Sequence, residues 1–240
     1  MAMRSARGRT AHRSAALLLH SRVLGEADLI LQFFTRDYGR ISVIGRSARK
    51  SRKRFGGALE PFHQLSVEFD DRGPDAELGV LRDATVQLPR VGIVKHLENL
   101  ELAGRGLAWV RHALPPRTPE PAAWRACGTL LDALNSSPPD VAPRVLAEFG
   151  FDLCECLGWA LELDACVVCR RPCPEGQSAG ISPARGGVVC RECGGAQRVL
   201  RGPTRMRLIG LGRGEHLETE DAESVIALVE DILRAHAGLD

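Results

Sequence analysis

Two cysteine pairs constrain this chain more than any other feature. Cys166-Val-Val-Cys169 and Cys190-Arg-Glu-Cys193 are separated by twenty residues, giving C-x2-C-x20-C-x2-C. Each CxxC bends the backbone so that two thiolates point the same way, and two such knuckles complete the tetrahedral sulfur shell that zinc prefers. The intervening chain must therefore return on itself, which Pro172, Gly176, Gly180, Gly186 and Gly187 suit. Four thiolates leave no open position, so one structural zinc is expected, with Cys166, Cys169, Cys190 and Cys193 as ligands. Cys173 is a fifth thiol at poorer spacing, and its substitution for one of the four is left open. Cys127, Cys154 and Cys156 fall in apolar helical stretches and read as core. Eight cysteines in a 240-residue chain able to bury a core favour metal in a reducing compartment over disulfides.

Charge is the second feature. Between Arg40 and Arg54 stand Arg40, Arg46, Arg49, Lys50, Arg52, Lys53 and Arg54, seven basic residues in fifteen positions with no acid among them. The preceding arm adds Arg4, Arg7, Arg9, Arg13, Arg22 and Arg36 against Glu26, Asp28 and Asp37, so residues 1–54 carry 13 − 3 = +10. The whole chain is +2, which leaves −8 for residues 55–240. Like charges this dense repel unless a polyanion neutralises them, and a concentrated field steers one. The phosphate backbone of a nucleic acid is the economical partner. A solvated basic loop is the competing reading, and a position between strands argues against it. Were the run only a solvated loop, the N-terminal arm (Arg4, Arg7, Arg9, Arg13) and the basic segment around Arg201, Arg205 and Arg207 would be the next places for phosphate contacts.

Short β-like runs occupy residues 15–23, 29–34, 41–44, 63–69, 77–81 and 85–88, separated by turn signals such as Asp37-Tyr38-Gly39 and Gly56-Gly57. Five or six short strands broken by a long basic connection fit a small, partly open barrel of the OB type, which binds single strands through basic and aromatic residues. Tyr38 and Phe55 flank the basic run and are candidates to stack on bases, although a core role is equally open to Tyr38. Phe33, Phe34, Phe62 and Phe69 read as core. From residue 92 the apolar period becomes helical: helices are expected over 92–114, 121–134 and 140–161, and an amphipathic acidic one over 220–237 that lids the others. The fold class is therefore α+β multidomain: an N-terminal OB-fold β-barrel (1–88), a helical domain (89–162) with an inserted four-cysteine zinc ribbon (163–200), and a C-terminal segment packed on the helices (201–240). The apolar run at 15–19 is five residues, too short for a membrane span or a secretory core, so neither is expected.

In this order the pieces resemble the RecO family of bacterial recombination and repair mediators. The words that carry the resemblance are Gly25-Glu26-Ala27-Asp28 before an apolar strand, Thr35-Arg-Asp-Tyr-Gly39, Val43-Ile-Gly-Arg-Ser-Ala-Arg49, Leu59-Glu-Pro-Phe62, Phe151-Asp-Leu, Leu157-Gly158 and Cys166 through Cys169. The resemblance implies an N-terminal OB fold, binding to single- and double-stranded DNA, and annealing of complementary strands. It also implies action with RecR to load RecA on strands coated by single-stranded DNA-binding protein. The family works in the cytoplasm with the bacterial nucleoid, without a membrane. The DNA-binding set expected here is Tyr38, Arg40, Arg46, Arg49, Lys50, Arg52, Lys53 and Arg54.

Two other classes compete. His96-Leu-Glu98 with a later CxxC resembles a zinc nucleobase deaminase, but Ala165 precedes Cys166 where that pattern has proline, and the second CxxC would have no role. No phosphate loop or nucleophile–base arrangement is visible, so no catalysis is expected. An RNA-binding or transcription-linked module with a zinc ribbon is the alternative to a DNA mediator.

Overall fold

The computed structural model describes residues 10–51, 55, 57–71 and 78–239, which divide into two compact units. The first comprises the chain through Val91 together with Leu114–Trp124. It holds β1 (Thr10–Leu24), β2 (Asp28–Thr35), β3 (Gly39–Gly45), β4 (Gln64–Asp71) and β5 (Gly79–Leu88). Of the two runs expected at 77–81 and 85–88, residue 77 lies outside the described residues, and residues 79–81 and 85–88 belong to the single strand β5. Register shifts at Gln64/Leu65 and Glu68/Phe69 bend its pairing with β4 instead of ending it. Strand order is β1-β2-β3-β5-β4, with β1 returning to pair with β4. The barrel is closed where a partly open one was expected, because β3 and β5 meet in parallel through Val43–Gly79 and Ile44–Val80.

Side chains alternate as a pleated strand requires: on β3, Ile41 and Val43 point inward while Ser42 and Ile44 are half-buried. Phe33, Leu31, Leu65, Val67, Phe69 and Leu81 fill the interior with them. Phe34 faces the other way yet is fully buried, because Trp124 meets it edge-on at 5.4 Å. The segment 114–118 lies along the start of β3. Arg40 Nε donates to the Leu114 carbonyl at 3.0 Å, and the Arg117 guanidinium reaches Asp71 with N···O distances of 2.5 and 3.2 Å. Gly39 makes this approach possible. Its φ is +64°, and a Cβ there would stand 2.1 Å from the Thr118 carbonyl oxygen.

The second unit contains α1 (Leu97–Ala113), α2 (Pro121–Ser136, from residue 125 onward), α3 (Ala142–Cys156), α4 (Gly202–Leu211) and α5 (Ala222–Ala237). Helices α1, α3 and α5 converge where Trp109, Gly150 and Val229 meet; a Cβ on Gly150 would lie 2.6 Å from the Trp109 ring. α3 stops at Cys156, five residues before its expected end. Gly158 turns left-handed at φ +79°, and Trp159 N–H closes on the Cys154 carbonyl. Two acids of α5 are paired: Glu230 with Arg105, and Asp231 with Arg198 and Arg234. Asp221, fully buried before α5, accepts from Thr204 and Arg207. Of the three cysteines expected in the core, Cys127 and Cys154 are buried and Cys156 is half-buried. No described helix is long and apolar enough to cross a membrane.

Between α3 and α4 the chain forms a three-stranded sheet, β6 (Ala179–Ser182), β7 (Gly187–Val189) and β8 (Arg198–Leu200), ordered β7-β6-β8. Trp159 stacks on His236 of α5 at 5.5 Å, and Arg198 of β8 reaches Asp231 of α5, so the sheet is anchored to the helices.

Candidate metal centre and nucleic-acid interface

The two CxxC segments fold as matching knuckles. In each, the residue after the second cysteine is left-handed and donates its N–H to the carbonyl of the first. Arg170 (φ 61°) bonds Cys166 at 2.8 Å, and Gly194 (φ 63°) bonds Cys190 at 3.0 Å. A bond from Val167 N–H to the Val188 carbonyl holds the first knuckle against β7, two residues before the second. The knuckles thereby face each other, and the sulfurs of Cys166, Cys169, Cys190 and Cys193 all lie within 4.8 Å of one another. Zinc–sulfur bonds of about 2.3 Å put tetrahedral sulfurs about 3.8 Å apart. Cys169 and Cys190 are 3.7 Å apart, so the set fits such an ion. Cys173 lies outside this cluster; its N–H bonds the Asp164 carbonyl instead.

The charges also suit a cation. Backbone N–H groups, first that of Cys169 and then that of Cys190, hold the Cys166 thiol down to about 6. The Cys193 N–H lowers Cys190 in the same way. Cys193 is pushed up to about 12, because its proton is shared with the sulfurs of Cys190 and Cys169. A cluster that readily forms some thiolates but resists forming all of them needs a positive ion to complete the ionisation. Arg171 and Glu192, one from each knuckle, pair through two 2.7 Å bonds across the site. His96 is exposed immediately before α1 and is not part of the cluster.

The basic residues divide along β3. Arg46, Arg49 and Lys50 are exposed in the turn that follows it, while Arg40 is half-buried at its start. Six residue steps along the strand separate Arg40 from Arg46, about 20 Å. The turn is folded onto the β1–β2 connection. Arg49 N–H bonds the Ala27 carbonyl at 3.1 Å, Arg49 Nη1 the Glu26 carbonyl at 3.1 Å, and Ser47 N–H the Asp28 carboxylate at 2.7 Å. In OB barrels the β1–β2 loop borders the face that binds oligonucleotides. Arg52, Lys53 and Arg54 lie outside the described residues, as do Arg4, Arg7 and Arg9.

The aromatic candidates are placed differently. Phe55 is 3% exposed in the barrel core, so its ring does not face a ligand. Tyr38 is half-buried: its ring meets Phe69 at 5.6 Å and His12 at 4.8 Å, and its hydroxyl lies 3.2 Å from His12 Nδ1. Sequence reasoning missed His12, which joins this cluster across β1, since only the β1–β4 pairing brings it to Phe69. In the second basic segment Arg201 is exposed, while Arg205 and Arg207 are structural. Arg205 is fully buried on backbone carbonyls, and Arg207 pairs with buried Asp221.

Comparison with known proteins agrees along the chain. Residues 10–89 match the family description "Recombination protein O N terminal", and residues 96–238 match "Recombination protein O C terminal". The chain is 36% identical over 186 residues to the DNA repair protein RecO of Rubrobacter xylanophilus, covering 76% of this chain and 71% of that one. The same-named protein of Geobacter sulfurreducens is 34% identical over 205 residues, covering 84% and 82%. That of Geobacter metallireducens is 31% identical over 182 residues, covering 76% and 72%.

Proposed function

Because the chain belongs to the RecO family of DNA repair proteins, we propose that it is a DNA-binding recombination mediator. It binds single- and double-stranded DNA and anneals complementary strands. With RecR it helps load RecA on strands coated by single-stranded DNA-binding protein, in the cytoplasm at the nucleoid. The observation that carries the reading is a basic turn fastened by Arg49 and Ser47 to the β1–β2 loop of an OB barrel. Arg46, Arg49 and Lys50, continued by Arg52, Lys53 and Arg54, contact phosphates. Such contacts set affinity and not sequence choice, because guanidinium and ammonium groups on the backbone read no base edges. A strand running along β3 toward Tyr38 and Arg40 would cover about 20 Å, within the four or more nucleotides, roughly, that one OB barrel holds.

Annealing follows electrostatically, since one protein carrying many cations offsets the repulsion between two strands. No turnover is part of this reading. One zinc on Cys166, Cys169, Cys190 and Cys193 is structural, supplying folding free energy through four closed coordination bonds. The test is annealing of dye-labelled complementary oligonucleotides without nucleotide cofactor, followed by RecA loading on protein-coated single strands with and without RecR. Faster annealing and RecR-dependent loading are expected. Annealing at the uncatalysed rate, or a requirement for ATP hydrolysis by this protein alone, would contradict the reading.

A further inference from the structure

The β1–β2 hairpin outruns the barrel. β4 pairs with β1 only from Thr10 to Leu17, and beyond that β1 pairs with β2 alone. A bulge between Leu18 and His20 marks the departure, as bulges do where a strand bends away from its sheet. From there residues 20–26 are all exposed. Turn tips are ordinarily polar, yet this one carries Val23 at 55% and Leu24 at 40% exposure. Successive strand residues point to opposite faces, so the tip is apolar on both sides. Neither residue is among the barrel core, so packing does not account for them.

Their surroundings name a ligand. Arg22 is exposed beside them, and the turn bearing Arg46, Arg49 and Lys50 is fastened to residues 26–28. Against these cations stand Glu26 and Asp28, and Asp28 is engaged by the Ser47 N–H. An aliphatic wedge flanked by phosphate-seeking cations is the arrangement with which proteins part stacked bases. Resting on the DNA-binding reading above, we propose that the hairpin tip is an unstacking wedge. Val23 and Leu24 enter between neighbouring bases of a bound strand while Arg22, Arg49 and Lys50 hold the flanking phosphates. Aliphatic contacts offer no hydrogen-bond pattern, so the wedge works on any sequence. It would hold bases splayed, as a complementary strand must find them to pair.

The test uses the full-length protein and single-stranded oligonucleotides containing 2-aminopurine, whose emission rises on unstacking. Permanganate oxidation of unstacked thymines is an independent readout. Wild type is expected to raise emission on binding. In Val23→Ser with Leu24→Ser the rise falls at least about fivefold while the dependence of affinity on salt is kept, since no phosphate contact is lost. Binding by wild type with neither emission nor permanganate change would overturn the wedge and leave the DNA reading standing. So would a double variant that responds like wild type. No binding by wild type at any salt would overturn both.

Discussion

Arg205 permits a worked prediction. It is fully buried on α4, and its guanidinium donates only to backbone carbonyls: Leu163 at 2.6 Å, Gln177 at 3.2 Å, Cys173 at 3.4 Å, and Pro174. These carbonyls belong to the connection leading into the ribbon and to the loop between its knuckles. Arg205→Met removes all the donors. The Leu163 bond is buried, and orphaning such a carbonyl costs about 1–3 kcal/mol; the other three, part-buried, rehydrate in part and cost about 1 kcal/mol each. The sum is about 4–6 kcal/mol, a large share of the roughly 5–15 kcal/mol that holds a domain together. Arg205→Lys should fare no better, because one ammonium cannot replace the planar fork and its charge stays buried. Arg201→Ala is the control: Arg201 is 62% exposed with carboxylates no closer than 3.8 Å, so it should stay within about 0.5 kcal/mol. Urea unfolding followed by circular dichroism at fixed metal content measures all three. An Arg205→Met protein within about 1 kcal/mol of wild type, or a Lys variant that rescues, would refute the reasoning.

The Cys190→Ser variant should lose stoichiometric zinc and melt earlier, whereas Cys173→Ser should keep both, as read by metal analysis and melting. Burial pushes the Cys154 thiol from an ordinary value of 9.0 up to about 12. The unfolded chain therefore releases this proton first as pH rises, and the stability due to a neutral buried thiol is present below about 9 and lost toward about 12. Cys154 should resist alkylation across that window until the protein unfolds, and rapid labelling of folded protein at pH 9 would disprove this. Gly150→Ala places a Cβ 2.6 Å from Trp109 and 2.9 Å from Val229 and should cost about 1–3 kcal/mol. Gly104→Ala meets nothing within 4 Å and should gain up to about 1 kcal/mol from helix propensity. Calorimetry on the pair checks the contrast, and equal effects would sink it.

Features set by neighbouring residues are legible in the amino-acid order alone. The cysteine knuckles are local turns, so spacing brings out the four sulfurs that the fold gathers, whereas the place of Cys173 outside the cluster is seen only in the fold. The strands of the barrel and the helices show in their hydrophobic periods. What escapes depends on partners far along the chain. Arg205 looks like a surface cation until carbonyls 28 to 42 residues away close on it. Phe55 flanks the basic run in sequence, yet the chain folds it into the core. The end of helix α3 is written locally, since Gly158 offers the left-handed stop that the apolar period runs past. The separation of Arg40 from Arg46 is also local, because a strand lies between them.

The central claim is that the turn after β3 holds nucleic-acid phosphates. The direct measurement is titration of fluorescent single-stranded oligonucleotides at several salt concentrations, for wild type and for Arg49→Glu with Lys50→Glu, with melting curves alongside. If about five cations engage, log affinity should fall with log salt at a slope near −3.5, and losing two contacts should bring it to about −2. Binding at moderate salt should weaken at least about tenfold for every sequence tested, with melting shifted little: the exposed Arg49–Glu26 bond is lost, but the backbone bonds from Arg49 and Ser47 that fasten the turn remain. An unchanged affinity and slope in the double variant would contradict the account.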